Sequence, residues 1–410
     1  MFAFGVSSPG IKAYRRGTHR TARPDDTVSR LRPLLEAFGI TRIANLTGLD
    51  RTGIPVVMVC RPNARSSAVF HGKGVDMPAA RASGLMEAIE TWHAEHVRLP
   101  LRLGSAAELG TGFAMAEVES LPRVPGGRFH PNLPMLWVEG LDLMGGGQVL
   151  VPFETVHMNG TVSGLPGAGC FAASTNGLAS GNHLLEAASH ALCEVIERDA
   201  TSLWNRLHPS LRAERRVDLA TVDDDASRAI LDRMEQAGLD VAVWETTTDI
   251  GVPAFECIMI DRSGEIGHVG RGAGCHPTRG VALLRALTEA VQVRMTYIVG
   301  SREDIGHADY QPSTLDRRLH HARALMRGTT RMRDFRAAGR HDFDDFAAEL
   351  AWLLERLRAA AIGQVIAVDL SRPEHDVSVV RVVVPGLEGS DHLPDYVPGP
   401  RAQSIRSRRP

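Results

Sequence analysis

The sequence predicts an α+β protein in which helices pack on sheets, and three observations carry that expectation. Apolar strand patterns and amphipathic helix patterns alternate along the whole chain, which favours one extensive sheet system over a bundle. The chain has 410 residues, 43% hydrophobic and 23% charged, enough for one large core or two modest ones. One helical pattern, with acidic residues paired on an otherwise apolar surface, occurs three times, each time after a glycine-bearing segment.

Taken in order, residues 12–20 are basic, and Pro24-Asp25-Asp26-Thr27 opens an amphipathic helix carrying Val28, Leu31, Leu34, Leu35 and Phe38. Asp and Thr at its start suit an N-cap. Residues 54–60 read as a buried strand whose proline is confined to its first positions, and 67–70 as a second strand. A His71-Gly-Lys-Gly74 loop and a helix over 83–90 follow, which sets Lys73 at the mouth of any site built there. Residues 99–164 are irregular, with short strands at 136–139 and 148–151. Residues 167–181 form a long loop of small residues, suited to bringing backbone amides close to an anion. This loop feeds a central helix at 182–200. Beyond it come a helix at 223–237, strands at 241–246 and 253–261, and a third loop and helix over 272–296. Helices at 315–326 and 343–361 and strands at 365–370 and 377–384 complete the pattern. From Tyr396 the chain is polar, and it is expected to be mobile beyond Ala402.

On the central helix, at about 100° per residue, Glu186, His190, Glu194 and Glu197 fall in one stripe. A single stripe of this kind is ordinarily a wetted surface. Here the pattern recurs: Glu87-Ala-Ile-Glu90, Glu194-Val-Ile-Glu197 and Glu289-Ala-Val-Gln292 share one register. If the three faces converge, six carboxylates at close range require positive charge, since like charges desolvated together raise one another's pKa or push the helices apart. Carboxylate oxygens with few imidazoles or thiolates suit magnesium, which keeps waters and bridges to phosphates. The acidic rows therefore point to a magnesium-nucleotide site. His190 shares the central stripe, and a hydrogen-bonded structural role is its ordinary reading beside that of a proton carrier.

Other classes are disfavoured. A formal net charge of −2 and a pI near 6.8 give no electrostatic case for nucleic acid or membrane as the main partner. No apolar run of about 18 residues and no secretory h-region appear, so a cytoplasmic location is expected. The five cysteines contain no Cys-x-x-Cys pair, which argues against a disulfide framework or a zinc knuckle. Cys170 and Cys275 each follow Gly-Ala-Gly, where packing of a tight turn is more ordinary than a role at a site. P-loop, Rossmann and kinase signatures are absent, as are the paired Glu-x-x-His motifs of di-iron proteins. Lysine occurs only at positions 12 and 73 in an arginine-rich chain, so these two are candidate point charges.

Gly72-Lys-Gly74 with Ser83, Glu87 and Glu90, then Asn176-Gly-Leu-Ala-Ser-Gly-Asn182 with Glu186, Glu194, Glu197 and Arg198, then His276-Pro277 with Arg285, Glu289, Gln292 and Arg294 together resemble the YcaO superfamily. The likeness spans roughly 10–400 in consistent order and spacing. It implies a YcaO-type ATP-binding fold whose three carboxylate-bearing helices converge on one nucleotide site. A single catalytic domain over 1–395, with a motif core at 66–300, would precede a Pro/Arg-rich tail at 396–410. The implied activity is use of ATP and Mg2+ to activate a peptide backbone amide, whose oxygen is phosphorylated after a nucleophile adds and is expelled as phosphate.

Carried over, the resemblance makes Ser83, Asn182 and Gln292 nucleotide contacts, joined by Lys12, Arg16, Arg20, Lys73 and Arg285. Glu87, Glu90, Glu186, Glu194, Glu197 and Glu289 become metal ligands, with Arg198, Glu194 and Glu197 at the catalytic centre. Azoline-forming relatives commonly end in Pro-x-Pro-x-Pro, whereas this chain reads Pro398-Gly-Pro400-Arg-Ala and continues as a basic tail. Its compact form, Gly17-Thr-His-Arg20 and Tyr396-Val-Pro-Gly-Pro-Arg-Ala are more similar to members that act with a separate TfuA-type partner in thioamide formation. Azoline formation on a ribosomally made peptide is the next reading. A non-enzymatic cation- or nucleotide-binding scaffold is the reading from another class. The peptide and the oligomeric state stay open, a homodimer included.

Overall fold

Residue pattern and strand order together explain how the acidic helices come to face one another. A computed structural model describes residues 3–162, 164–264, 267–327, 331–389, 391 and 396–406. Helix α1 (Pro24–Leu31) leads into an antiparallel sheet of β1 (Arg42–Asn45), β2 (Val56–Cys60) and β3 (Val69–Lys73). The expected Asp/Thr cap on α1 is corrected: Arg23 precedes the helix with no side-chain cap, and Pro24 takes the first position. A missing N–H costs nothing there. Helix α2 (Met77–Glu95) follows, capped by Asp76, which accepts from the Ala79 N–H at 3.0 Å.

Next come β4 (Leu101–Gly104), α3 (Ala106–Leu109), β5 (Met135–Asp142), β6 (Gln148–Pro152) and β7 (Leu178–Gly181). The central helix α4 spans Leu184–Arg206, ending about one and two-thirds turns beyond its predicted C-terminus at 200. Helix α5 (Pro209–Ala213), β8 (Val217–Asp218), α6 (Asp225–Gln236), β9 (Leu239–Glu245), β10 (Ala254–Asp261) and β11 (Gly270–Cys275) lead to α7 (Arg279–Val299). Helix α8 (Pro312–Met326), β12 (Arg333–Asp334), α9 (Phe346–Ala359), β13 (Ile366–Asp369), β14 (Ser378–Val383) and α10 (Pro400–Arg406) complete the order.

The strands do not make one extensive sheet. Strands β11-β10-β9 form a second three-stranded sheet, β12 and β8 a short parallel pair, and β4-β5-β13-β14-β7 with β6 on β5 a six-stranded sheet. Apart from the short pair, neighbouring strands run antiparallel. This is an α+β arrangement.

The glycine segments are the main correction. The sequence reads all three as loops, that at 167–181 as one suited to an anion, but Gly72, Gly181, Gly272 and Gly274 lie in strands β3, β7 and β11. A Cβ at Gly72 would lie 2.1 Å from the Ala80 carbonyl oxygen, and one at Gly274 2.1 Å from that of Ala282. At Gly272 it would lie 2.3 Å from the Ala290 nitrogen, and at Gly181 2.8 Å from that of Ala187. These glycines let each strand rest directly on the backbone of the helix that follows it.

The helices bury their apolar sides in different cores. Leu85 and Ile89 of α2 pack with Trp137, Val151 and Val379. Leu192 and Ile196 of α4 pack with Leu353, Leu357 and Val380, and Leu283 and Leu287 of α7 with Val56, Ile230 and Phe255. The C-terminal segment is anchored as far as the expected boundary. Tyr396, Gly399 and Ala402 donate to the buried Glu388 carboxylate, Arg401 donates to Asp199 of α4 at 3.0 Å, and Ala402 has 0% exposure. Helix α10 continues to Arg406, and residues 407–410 lie outside the described set. Among the described residues no helix is long and apolar enough to cross a membrane.

Candidate functional site

The acidic faces of α2, α4 and α7 come within electrostatic reach of one another. Lys73, at the end of β3, donates to Glu289 on α7 at 2.7 Å, and Gln292 on the same helix donates to the His71 carbonyl at 2.9 Å. Ser180 of β7 donates to Glu90 of α2 at 2.8 Å and to the Met86 carbonyl at 3.1 Å. Arg198 lies 3.2 Å from Glu197 and 3.7 Å from Glu194.

The carboxylates also sense one another across helices. Burial pushes Glu87 up to about 7 against the pull of Lys73 and Arg302, with Glu289 adding to the rise. Burial likewise takes Glu197 to about 7, opposed by Arg198 and reinforced by Glu289 and Glu194. Glu90 is driven well above the carboxylate range by burial and by Glu87, and Glu194 is raised by burial against Arg198 and Arg381. Glu289 alone is held low, because Lys73 and Arg198 outweigh its burial. Five carboxylates from three helices thus share one desolvated neighbourhood short of positive charge.

His190 is reached by solvent but sits deep among protein groups; burial, Arg285, Arg20 and Lys73 keep its imidazole neutral far below the usual histidine range. Arg285 donates to the Cys275 carbonyl at 3.1 Å, and Ser83 is half-buried on α2 one turn before Glu87. The cysteines are free thiols; Cys170 and Cys275 are buried.

Four expected contacts are placed differently. The sequence sets Lys12 at the phosphates, but its side chain is fully buried and its ammonium is bonded to Glu349 at 2.6 Å and His19 at 3.1 Å. Glu186 stands apart from the five coupled carboxylates: its Oε2 accepts from the Thr21 N–H at 3.0 Å and the Thr21 hydroxyl at 2.6 Å. The Asn182 carbonyl oxygen accepts from Thr27 at 2.9 Å and from Arg30, so it faces α1. Arg16 is on the surface, 72% exposed and 3.6 Å from Asp76. Arg20 is closer to the cleft, within reach of Glu186 and Arg285.

Sequence reasoning missed Arg381, Arg302 and Glu349. Arg381 of β14 is fully buried, donates to the Asn176 and Val156 carbonyls at 2.7 and 3.2 Å, and backs Glu90 and Glu194. An arginine inside the apolar run Ser-Val-Val-Arg-Val-Val-Val was its available signal. Arg302, on the loop after α7, had none. Glu349 lies within an amphipathic helix pattern, where a buried carboxylate cannot be told from a wet one.

The residues fit a magnesium-nucleotide group. The facing donors are carboxylate oxygens, hard ligands whose pKa values are raised by burial and by one another, a cost that a bound divalent cation would offset. Gln292 Oε1 and Arg20 Nε are both buried with no hydrogen-bond partner, an acceptor and a donor left for a ligand.

Comparison with known proteins agrees. A family profile described as YcaO cyclodehydratase, ATP- and Mg2+-binding, matches residues 71–388. The uncharacterized protein in the tfuA 3′ region of Rhizobium leguminosarum bv. trifolii is 37% identical over 93% of this chain and 91% of its own. The YcaO of Methanopyrus kandleri bound with AMPPCP and Mg2+ superposes with a TM-score of 0.73 at 25% identity, covering 92% of this chain and 95% of that one. A heterocyclase in complex with substrate and cofactor gives a TM-score of 0.76 at 22% identity over 90% of this chain, which spans only 53% of its length, so that likeness speaks for the fold. The chain therefore belongs to the YcaO family, ATP-dependent modifying enzymes that bind ATP and Mg2+.

Proposed function

We propose that this enzyme phosphorylates the oxygen of a peptide backbone amide and completes thioamide formation with a TfuA-type partner and a sulfide donor. The observation that carries the reading is the set of five coupled carboxylates beside Lys73 and Arg198. Glu87, Glu90, Glu194, Glu197 and Glu289 would hold Mg2+, and Gln292, Arg20, Lys73, Arg198 and Arg285 would contact the nucleotide. ATP bound with Mg2+ supplies the phosphoryl group that turns a poor leaving oxygen into a good one.

The balance is amide plus ATP plus hydrosulfide giving thioamide, ADP and phosphate. A C–S bond forms at the carbonyl carbon, its oxygen takes the γ-phosphoryl group, and the C–O bond then breaks to release phosphate. Arg198, kept charged by Glu197, Glu194 and Glu289 against the cost of its burial, would steady charge on the transferring group. Lys73 is a second fixed charge across the cleft. Catalysis on this reading rests on positioning and electrostatics. The Rhizobium relative's place beside tfuA supports the choice of partner.

The test is co-expression with a candidate peptide and a TfuA-type protein, followed by mass spectrometry. Exchange of oxygen for sulfur is the expected result. Loss of water would indicate the azoline-forming reaction instead, and an unmodified peptide with no ATP turnover would reject the reading.

A further inference from the structure

Five polar groups are buried together away from the acidic rows: Lys12, His19, Ser189, His276 and Glu349. Glu349 sits at their centre. Its Oε2 takes the Lys12 ammonium at 2.6 Å and lies 3.5 Å from His276 Nε2, while its Oε1 accepts from the Ser189 hydroxyl at 2.5 Å. Lys12 also reaches His19 Nδ1 at 3.1 Å and lies over the Phe346 ring at 5.2 Å. His19, His276 and Glu349 have the separations of a metal triad, but Lys12 already supplies the cation there. Enclosed in this way, Lys12 cannot reach a phosphate. Buried charge so far from water is costly and weak evidence for stability alone, so a positioning role is the better account.

What the knot positions is the segment Gly10–Thr21. At one end the Pro9 and Gly10 carbonyls accept from the Ala347 and Phe346 N–H groups, both at 3.0 Å, satisfying the first turn of α9. Arg15 adds ion pairs to Asp342 and Asp344 at 2.9 and 2.8 Å. In the middle, Gly17 has φ +74°, and a Cβ there would lie 2.8 Å from Val75 and 2.9 Å from Leu284, so the segment presses on the approach to α2 and on α7. At the other end Thr21 holds Glu186 of α4. The segment is therefore a strap from α9, past Val75 and Leu284, to α4, and Arg20 hangs from it with its Nε unpartnered.

We propose that Lys12 and Glu349 are positioning residues whose ion pair fixes this strap so that Arg20 faces the nucleotide phosphates. The inference rests on the reading that the cleft binds Mg-ATP. Lys12→Met should release the strap, seen as faster tryptic nicking after Arg15 and Arg16. By calorimetry with ATP and Mg2+ it should weaken binding roughly tenfold or more, and it should raise the KM for ATP more than it lowers kcat. The Lys12→Met/Glu349→Gln double variant, which leaves no buried charge unpaired, should weaken binding in the same direction and serves if Lys12→Met does not fold. A strap freed to trypsin with ATP affinity within about twofold of wild type would overturn the proposal, as would variants that leave the strap protected. Wild-type protein that fails to bind Mg-ATP would instead remove the underlying functional reading.

Discussion

Replacing Glu197 by glutamine should make the ligand-free protein more stable at alkaline pH and abolish its response to Mg-ATP. The side chain is 9% exposed, and its carboxyl is moved from 4.5 to about 7 by burial and by its acidic neighbours. The sign follows from linkage. Below pH 4.5 the group is protonated in both states and costs nothing. As pH rises towards about 7 the unfolded chain gains by ionising first, so stability is lost, and above 7 the penalty is complete. At about 1.4 kcal/mol per pH unit the penalty is at most ~3 kcal/mol, and water in the cleft and the Arg198 contact bring it to about 1–3 kcal/mol. With an unfolding entropy of about 2.1 cal/mol/K per residue, this is a rise of roughly 1–3 °C in melting temperature. Scanning calorimetry with EDTA at pH 4 and pH 8 should show the variant close to wild type at the first pH and above it at the second. Adding ATP and Mg2+ should then stabilise wild type only. A gap equal at both pH values, or a variant that melts lower at pH 8, would refute the reasoning.

Lys73→Ala should raise the pKa of Glu289, whose low value depends on that ammonium, and weaken Mg-ATP binding by about tenfold or more; titration calorimetry and NMR of the carboxyl would read both. Arg381→Met should destabilise the chain by about 2–4 kcal/mol in urea unfolding, because the Asn176 and Val156 carbonyls lose their donors and Glu90 and Glu194 lose a counter-charge. Gly272→Ala should cost about 3 kcal/mol or more in the same assay, since its Cβ would meet the Ala290 nitrogen at 2.3 Å. A Gly272→Ala protein of normal stability would refute the close-packing account of this glycine.

The acidic rows were legible because a helix repeats its face every three to four residues, so Glu87/Glu90, Glu194/Glu197 and Glu289/Gln292 declared a common direction before any contact was known. Their convergence needed the sheets. The strand over Ser378–Val383 could be read from its valines, yet that it would carry Arg381 to the back of Glu90 depends on its register with β7. The glycine segments misled because conformational freedom and absence of volume are written with the same letter: Gly72 and Gly274 serve by their smallness. Lys12 misled for a related reason. A lone lysine in a basic stretch reads as a solvent-facing charge, and only Glu349, 337 positions away, makes it an interior one.

Because β3 and β11 touch α2 and α7 main chain to main chain, no layer of side chains exists there whose resizing could slide one helix relative to the sheet. The gaps between acidic rows are therefore as invariant as peptide geometry itself. A library meant to alter which metal or nucleotide is accepted should diversify the groups pointing into the cleft and leave those glycines untouched, since mutating them would discard the ruler along with the reading.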